Sequence, residues 1–163
     1  MKTIILGIDP GYDRCGWAVL SAEGRTFKPL AFDVVQTSKK ETKYQRFQQI
    51  LLFLEEVIST HQVKEIAIED LFFARNVNTA LPVSEVRGLV FSLAIRTQIP
   101  VIEYKPNQIK QTVTGHGQAD KQQVMNMVMR QLGLEKIPKI DDTGDALAVA
   151  LTHAVHRNSR LHL

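Results

Sequence analysis

Short apolar runs dominate the first part of the chain. Residues 3–9 are rich in isoleucine and predict a buried strand. Residues 15–21 and 27–36 predict two more strands, and Glu23-Gly24 between them marks a hairpin. Because consecutive strands joined by tight turns pair antiparallel, these three strands should form an antiparallel unit.

The spacing of the apolar positions becomes helical after residue 40. It predicts five helices, at about 43–60, 81–96, 105–113, 120–132 and 142–157. Two short strands, 64–69 and 100–104, lie among them. Strand–helix–strand connections are right-handed and make parallel neighbours. The expected fold class is therefore α/β, with a mixed five-stranded sheet of three antiparallel strands followed by parallel strands, flanked by helices. No linker or repeat interrupts the pattern, so we expect one domain spanning residues 1–163.

Four acidic residues stand where apolar elements end or begin. Asp9 ends the first predicted strand and Glu69 ends the fourth, and neighbouring parallel strands would bring them to one edge of the sheet. Asp142 and Asp145 are three residues apart at the start of the last helix, so they share a face. Acids at a helix start are most often caps, and for this pair that alternative stays open.

Carboxylates that converge in this way bind hard divalent cations. An all-oxygen site favours Mg²⁺ or Mn²⁺ over zinc. Two such ions, about 4 Å apart, hold the attacking and leaving oxygens of a phosphodiester.

No Ser-His or Cys-His arrangement suggests a protein nucleophile, since Cys15 lies in an apolar stretch typical of a core thiol. The histidines at 153, 156 and 162 resemble a solvated helix end more than a zinc site.

Composition adds a preference for an anionic partner. The 163 residues, 44% of them hydrophobic, are enough for a sizeable core, and the net charge is +3. With the four acids set aside, 20 basic residues face 13 acidic ones, so the remaining surface is basic. This favours a phosphate-rich partner, although an ordinary basic protein would have the same balance. A single cysteine, and an apolar start that Asp9 cuts short, lead us to expect a cytoplasmic protein.

Taken in order, several motifs of this chain resemble the RuvC Holliday-junction resolvases of the ribonuclease H-like superfamily. The resemblance covers nearly the whole length. It is carried by Gly7-Ile8-Asp9-Pro10-Gly11, Ala67-Ile68-Glu69, Phe72-Phe73-Ala74-Arg75-Asn76, Arg87-Gly88, Tyr104, Val113-Thr114-Gly115-His116-Gly117-Gln118-Ala119-Asp120-Lys121 and Asp142-Thr143-Gly144-Asp145-Ala146-Leu147-Ala148.

The resemblance implies an endonuclease acting in DNA recombination and repair. Its catalytic and metal-binding residues would be Asp9, Glu69, Asp142 and Asp145, holding two Mg²⁺ ions for which Mn²⁺ substitutes. Asp70 and Asp141 fall outside this set and are expected to support it. The family acts as a homodimer that nicks two opposed strands of a four-way junction symmetrically, leaving 5′-phosphates. It works together with the RuvA and RuvB branch-migration proteins.

The resemblance also assigns DNA contacts. Lys110 and Lys121 match lysines near the scissile phosphate; by themselves they would be taken as solvated. Phe72 would stack on an unpaired base and Arg75 would contact the adjacent backbone, although an aromatic at this position is more often core. The helix over 81–96, apolar on several faces, is a candidate dimer interface, and ordinary core packing explains it equally well.

Three other functions are compatible with parts of the pattern. Gly7-Ile8-Asp9-Pro10-Gly11 also opens actin-like sugar kinases, but that architecture needs two such domains. The related YqgF group pairs a strand-end Asp with Arg-x-Gly, here Arg14-Cys15-Gly16, yet residues 104–121 favour RuvC. A junction-binding protein without catalysis is disfavoured because all four acids are present.

Overall fold

A mixed sheet with helices on both faces forms the framework of the computed structural model, which describes residues 2–70, 77–136 and 141–160. Within these residues the strands are β1 (Thr3–Asp9), β2 (Arg14–Glu23), β3 (Thr26–Gln36), β4 (Glu65–Glu69) and β5 (Val101–Tyr104). The helices are α1 (Lys43–His61), α2 (Val77–Thr97), α3 (Pro106–Thr114), α4 (Lys121–Leu132) and α5 (Asp141–Arg160).

The sheet order is β3-β2-β1-β4-β5, so the first and fourth strands lie side by side, as the sequence predicts. β1 pairs antiparallel with β2, and β2 with β3, whereas β1 with β4 and β4 with β5 are parallel. Ile8 lies opposite Ile68 in the parallel pair. The next residues, Asp9 and Glu69, therefore end adjacent strands at one edge of the sheet.

Two apolar layers cover the sheet. Ile5 of β1 faces the layer formed with α3, α4 and α5, while Leu6 and Ile8 face the layer formed with α1 and α2. A strand buried on both faces needs a nearly continuous apolar sequence, which is what residues 3–8 provide. Among the described helices, none is long and apolar enough to cross a membrane.

Two glycines allow α5 to lie very close to β1 and β2. A Cβ added at Gly7 would lie 2.5 Å from the carbonyl oxygen of Ala146. A Cβ added at Gly16 would lie 2.1 Å from the carbonyl oxygen of Asp142. Because backbone atoms cannot move aside cheaply, only glycine fits at either position. The first turn of α5 is thereby held over the edge at which β1 ends.

The start of α2 differs most from the sequence prediction. The helix begins at Val77, four residues before the predicted start, and includes Pro82 in its second turn. Proline is favoured in the first turn of a helix, where its missing N–H costs nothing, so a helix that starts five residues before Pro82 goes against this local preference. The other element boundaries agree with the prediction to within three residues.

Candidate active site

The four acids predicted from the sequence come together at this edge of the sheet. Burial raises the pKa of Asp9 well above its usual range, and the charges of Glu69, Asp145 and Asp142 raise it further. Burial, followed by the charge of Asp145, raises the pKa of Glu69 to about 7. Three separate elements thus bring four carboxylates within electrostatic reach of one another. Such a group repels its own negative charge and favours a cation.

Two basic side chains lie against the acids of α5. Lys121 Nζ donates to Asp145 Oδ2 at 2.9 Å and lies 3.4 Å from Asp141 Oδ2. Burial lowers the pKa of Lys121, but its hydrogen bond with Asp145 and the nearby negative charges outweigh burial and raise it. Arg14 Nε lies 2.9 Å from Asp142 Oδ2. Asp142 therefore pairs with a cation from β2, whereas Asp141 and Asp145 share one from α4.

The donor set fits a hard cation, although the acids do not form a ready-made coordination sphere. Among the described residues, no three His, Cys, Asp or Glu side chains are close enough to bind a metal ion as they stand. Asp142 Oδ2, however, is buried and accepts no well-directed hydrogen bond from the described residues. An oxygen of this kind favours a cation. Metal binding would require Asp142 and Asp145 to exchange their basic partners for the ion.

A cleft of about 260 Å³ opens beside the acids. It is lined by Glu69, Pro106, Ile109, Lys110, Lys121, Val124, Asp145 and Ala148. Lys110 comes from α3 and Lys121 from the start of α4, so both predicted lysines face the same space as two of the acids. The positive charge of Lys110 also acts to lower the pKa of Glu69. The cleft thus combines acidic groups for cations with basic groups for phosphate.

Arg87 has a structural role that the sequence did not reveal. It is buried on α2, and its guanidinium donates to the carbonyl oxygen of Glu69 and to the carboxylate of Glu103. It also lies 3.4 Å from Asp70 Oδ1. Arg87 therefore fixes the end of β4 that carries Glu69. A charged residue between the apolar Val86 and Val90 was the available signal, since a buried arginine needs partners.

Arg14 is the second residue that the sequence did not single out. It appeared only within an Arg-x-Gly pattern, and nothing in the spacing indicated Asp142 as its partner. Phe72 and Arg75, predicted to contact DNA, lie in segment 71–76, outside the described residues. Their roles stay predictions.

Of the three histidines predicted as a solvated helix end, His153 differs from the prediction, and His162 lies outside the described residues. His153 is buried, with Nε2 2.6 Å from Glu65 Oε2 and Nδ1 2.9 Å from the hydroxyl of Tyr104. The prediction was wrong for His153 because α5 packs along the sheet beyond its first turns. Cys15, in contrast, is fully buried as expected, and burial raises the pKa of its thiol to about 12.

Comparison with known proteins relates this geometry to a family. The family model described as crossover junction endodeoxyribonuclease RuvC matches residues 5–153. A relative of that name from Heliobacterium modesticaldum is 47% identical over 148 residues, 91% of each chain. Another, from Pseudothermotoga lettingae, is 43% identical over 155 residues, 95% of this chain and 96% of the relative.

Solved structures agree with the family match. RuvC from T. thermophilus, solved in complex with a Holliday junction substrate, has a TM-score of 0.92 at 34% identity, covering 97% of this chain and 96% of that one. The yeast mitochondrial Holliday junction resolvase Ydc2 shares the fold, with a TM-score of 0.64 at 13% identity over 99% of this chain and 86% of that one. The chain therefore belongs to the RuvC family of crossover junction endodeoxyribonucleases, metal-dependent Holliday-junction resolvases with a ribonuclease H-like fold.

Proposed function

We propose that Asp9, Glu69, Asp142 and Asp145 are the catalytic metal ligands with which this resolvase cuts four-way DNA junctions. The observation that carries the proposal is their convergence: two strand ends and one helix start bring four mutually repelling carboxylates to one edge of the sheet. The buried, poorly satisfied oxygen of Asp142 supports the same assignment.

The protein groups have separable tasks in this reaction. Strand pairing fixes the backbone at Asp9 and Glu69, while α5 supplies Asp142 and Asp145, so the backbone positions of the four ligands are set before substrate arrives. Two bound Mg²⁺ ions, or Mn²⁺ in their place, supply the activation of a water molecule and the stabilisation of the departing 3′ oxygen, which leaves 5′-phosphate ends.

The basic residues of the cleft bind the DNA backbone. Lys110 and Lys121 lie beside the acids and are placed to hold phosphates in register. With Asp145 holding a metal ion, Lys121 would be placed to bind a phosphate oxygen in its stead. Phe72 is proposed to stack on an unpaired base at the junction centre, with Arg75 contacting the adjacent backbone.

The substrate has two equivalent strands, which suits a two-fold homodimer making symmetric paired nicks. We place the interface on α2, where Leu81 and Ile95 are 62% and 76% exposed despite being apolar. Residues 1–163 are proposed to act as one nuclease domain in the cytoplasm. RuvA and RuvB are the partners that the family resemblance implies.

The test compares a synthetic four-way junction with a matched duplex, in Mg²⁺ and in EDTA. We expect symmetric nicks in the junction alone, and only with Mg²⁺. Asp9→Asn, Glu69→Gln and Asp145→Asn should each lower the cleavage rate by roughly 1,000-fold or more, because each removes a ligand charge. Junction binding in Ca²⁺ should be retained by all three.

A matched control is Asp33→Asn, the same change at an exposed position of β3. It should cut at the wild-type rate. Near wild-type cutting by any of the three acid variants would remove that acid from the proposed site. Equal cutting of duplex and junction would contradict the proposed selectivity.

A further inference from the structure

We propose that Arg14 forms a second DNA-phosphate site, on the Asp142 side of the active site, and that metal binding at Asp142 releases Arg14 to the DNA. The inference rests on the proposed function of Asp142 as a metal ligand. It adds a residue and a ligand-binding surface that are separate from the lysine-lined cleft.

The contact between Arg14 and Asp142 is close but poorly directed. Arg14 Nε lies 2.9 Å from Asp142 Oδ2, yet that oxygen accepts no hydrogen bond of good geometry from the described residues. The pair is therefore held by charge more than by a directed N–H bond. The Arg14 side chain is 51% exposed, against 20% for Asp142. An arginine in this setting can leave its partner without being buried unpaired.

Arg14 also lies on a groove of its own. The groove has a volume of about 380 Å³ and is lined by residues 11–14, Pro82, Val83 and Asp142. It shares no lining residue with the cleft that contains Lys110 and Lys121. The two basic surfaces are therefore separate: the groove reaches the acid cluster at Asp142, and the cleft reaches it at Glu69 and Asp145. DNA bound across the acids could contact both.

The other charges of the groove are already paired. Asp13 contacts the guanidinium of Arg46, and Lys39 Nζ lies 3.5 Å from Asp13 Oδ2. Arg46 is itself buried, donates to the carbonyl oxygen of Tyr12 at 3.1 Å and stacks on the Tyr12 ring at 3.6 Å. Once a metal ion neutralises Asp142, Arg14 is the lining residue, among those the structure describes, whose charge is left to attract an anion to the groove.

Metal binding at Asp142 and DNA binding at Arg14 then strengthen each other. While Arg14 pairs with Asp142, it competes with a metal ion for the carboxylate and is less available to a phosphate. A metal ion on Asp142 removes that pairing, and the planar guanidinium suits a phosphate oxygen pair. Because coupling between two ligands is reciprocal, phosphate bound at Arg14 also strengthens metal binding at Asp142.

The test uses Arg14→Gln and Arg14→Lys, with Arg25→Gln as the control. Arg25 is exposed in the hairpin at the far end of β2, so its loss changes net charge equally. Mn²⁺ binding to the DNA-free protein is measured by electron paramagnetic resonance. Junction binding is measured in Ca²⁺ over a range of salt concentrations.

We expect Arg14→Gln to bind Mn²⁺ about three- to ten-fold more tightly, since a competing cation is gone. Its junction affinity should fall, and the salt dependence should decrease by about one counterion. Arg14→Lys should lie between Arg14→Gln and wild type. Arg25→Gln should match wild type in Mn²⁺ binding.

Weaker Mn²⁺ binding by Arg14→Gln would overturn the proposal, because Arg14 would then only orient Asp142. Junction affinity and salt dependence equal to those of Arg25→Gln would also overturn it. Asp142→Asn separates this failure from that of the proposed function. If Asp142→Asn binds Mn²⁺ like wild type, the metal-ligand assignment itself is wrong; if it loses binding, only the role of Arg14 is in question.

Discussion

Glu69 illustrates, at the scale of one residue, why the site opposes the stability of the fold. Burial and Asp145 raise its pKa from 4.5 to about 7, so its ionised form is disfavoured in the folded protein. Below pH 4.5 the carboxyl is protonated in both the folded and unfolded states. As pH rises towards 7, the unfolded state releases its proton more readily, and the folded state loses stability. A cluster of buried acids lowers the stability of the fold, and such a cost is expected at positions that function requires.

Glu69→Gln should therefore raise the melting temperature at pH 8 in EDTA, by about 3–6 °C for roughly 1–2 kcal/mol. At pH 5 the difference from wild type should shrink, because most Glu69 side chains are then protonated in the folded wild type. The measurement is thermal unfolding by circular dichroism at the two pH values. Added Mg²⁺ should raise the melting temperature of wild type more than that of the variant.

Glu56→Gln is the matched control, since Glu56 lies exposed in the middle of α1. It should melt like wild type at both pH values and respond to Mg²⁺ in the same way. A Glu69→Gln protein that melts below wild type at pH 8 would mean that Glu69 stabilises the fold, contrary to the direction of its pKa shift.

At the scale of the elements, the close packing of α5 on β2 links the fold to the active site. Gly16→Ala would place a methyl group 2.1 Å from the Asp142 carbonyl oxygen, and that backbone can only move away. We expect a loss of about 1–3 kcal/mol in the free energy of unfolding, with a larger proportional loss of cleavage because Asp142 moves. Denaturant unfolding and junction cleavage measure the two effects.

Gly117→Ala, in the turn between α3 and α4, is the control for the stability effect of the Gly16 substitution, because an added Cβ there meets no atom closer than 3.5 Å. It should leave stability unchanged or raise it by about 0.5–1 kcal/mol. Wild-type cleavage by Gly16→Ala would show that Asp142 does not depend on this close contact.

Most of the sheet could be predicted from the sequence, and so could the meeting of Asp9 and Glu69. Strand alternation, hairpin turns and right-handed crossovers leave few ways to order five strands. The ion pairs of Arg14 and Arg87 could not be predicted in the same way. Arg14 pairs with an acid near the other end of the chain, whereas Arg87 pairs with the strands before and after its own helix. In both cases a side-chain contact over about 3 Å depends on packing distances that periodicity does not encode. The start of α2 was placed too late because the first helical turn lies ahead of the apolar positions from which the helix was predicted.

At the scale of the whole molecule, one protomer provides one site, whereas a four-way junction requires two nicks. The proposed two-fold dimer would resolve this mismatch, since it would present two equivalent sites related by the symmetry of the substrate. The apolar residues that α2 leaves exposed would lose contact with water in such a dimer. Burying an exposed side chain of the size of Ile95 contributes about 1.5–3 kcal/mol, and a two-fold axis counts each contact twice.

Ile95→Glu should therefore shift the protein from dimer to monomer at micromolar concentration, because two new charges would be buried across the two-fold axis. Analytical ultracentrifugation measures the mass, and a junction-cleavage assay should show single nicks replacing paired ones. Leu52→Glu is the matched control: Leu52 is 55% exposed on α1, and the change in charge is the same. If Leu52→Glu dissociates the dimer and Ile95→Glu does not, the interface lies on α1. If the wild-type protein is itself a monomer and still makes paired nicks, paired nicking does not require the proposed two-fold dimer.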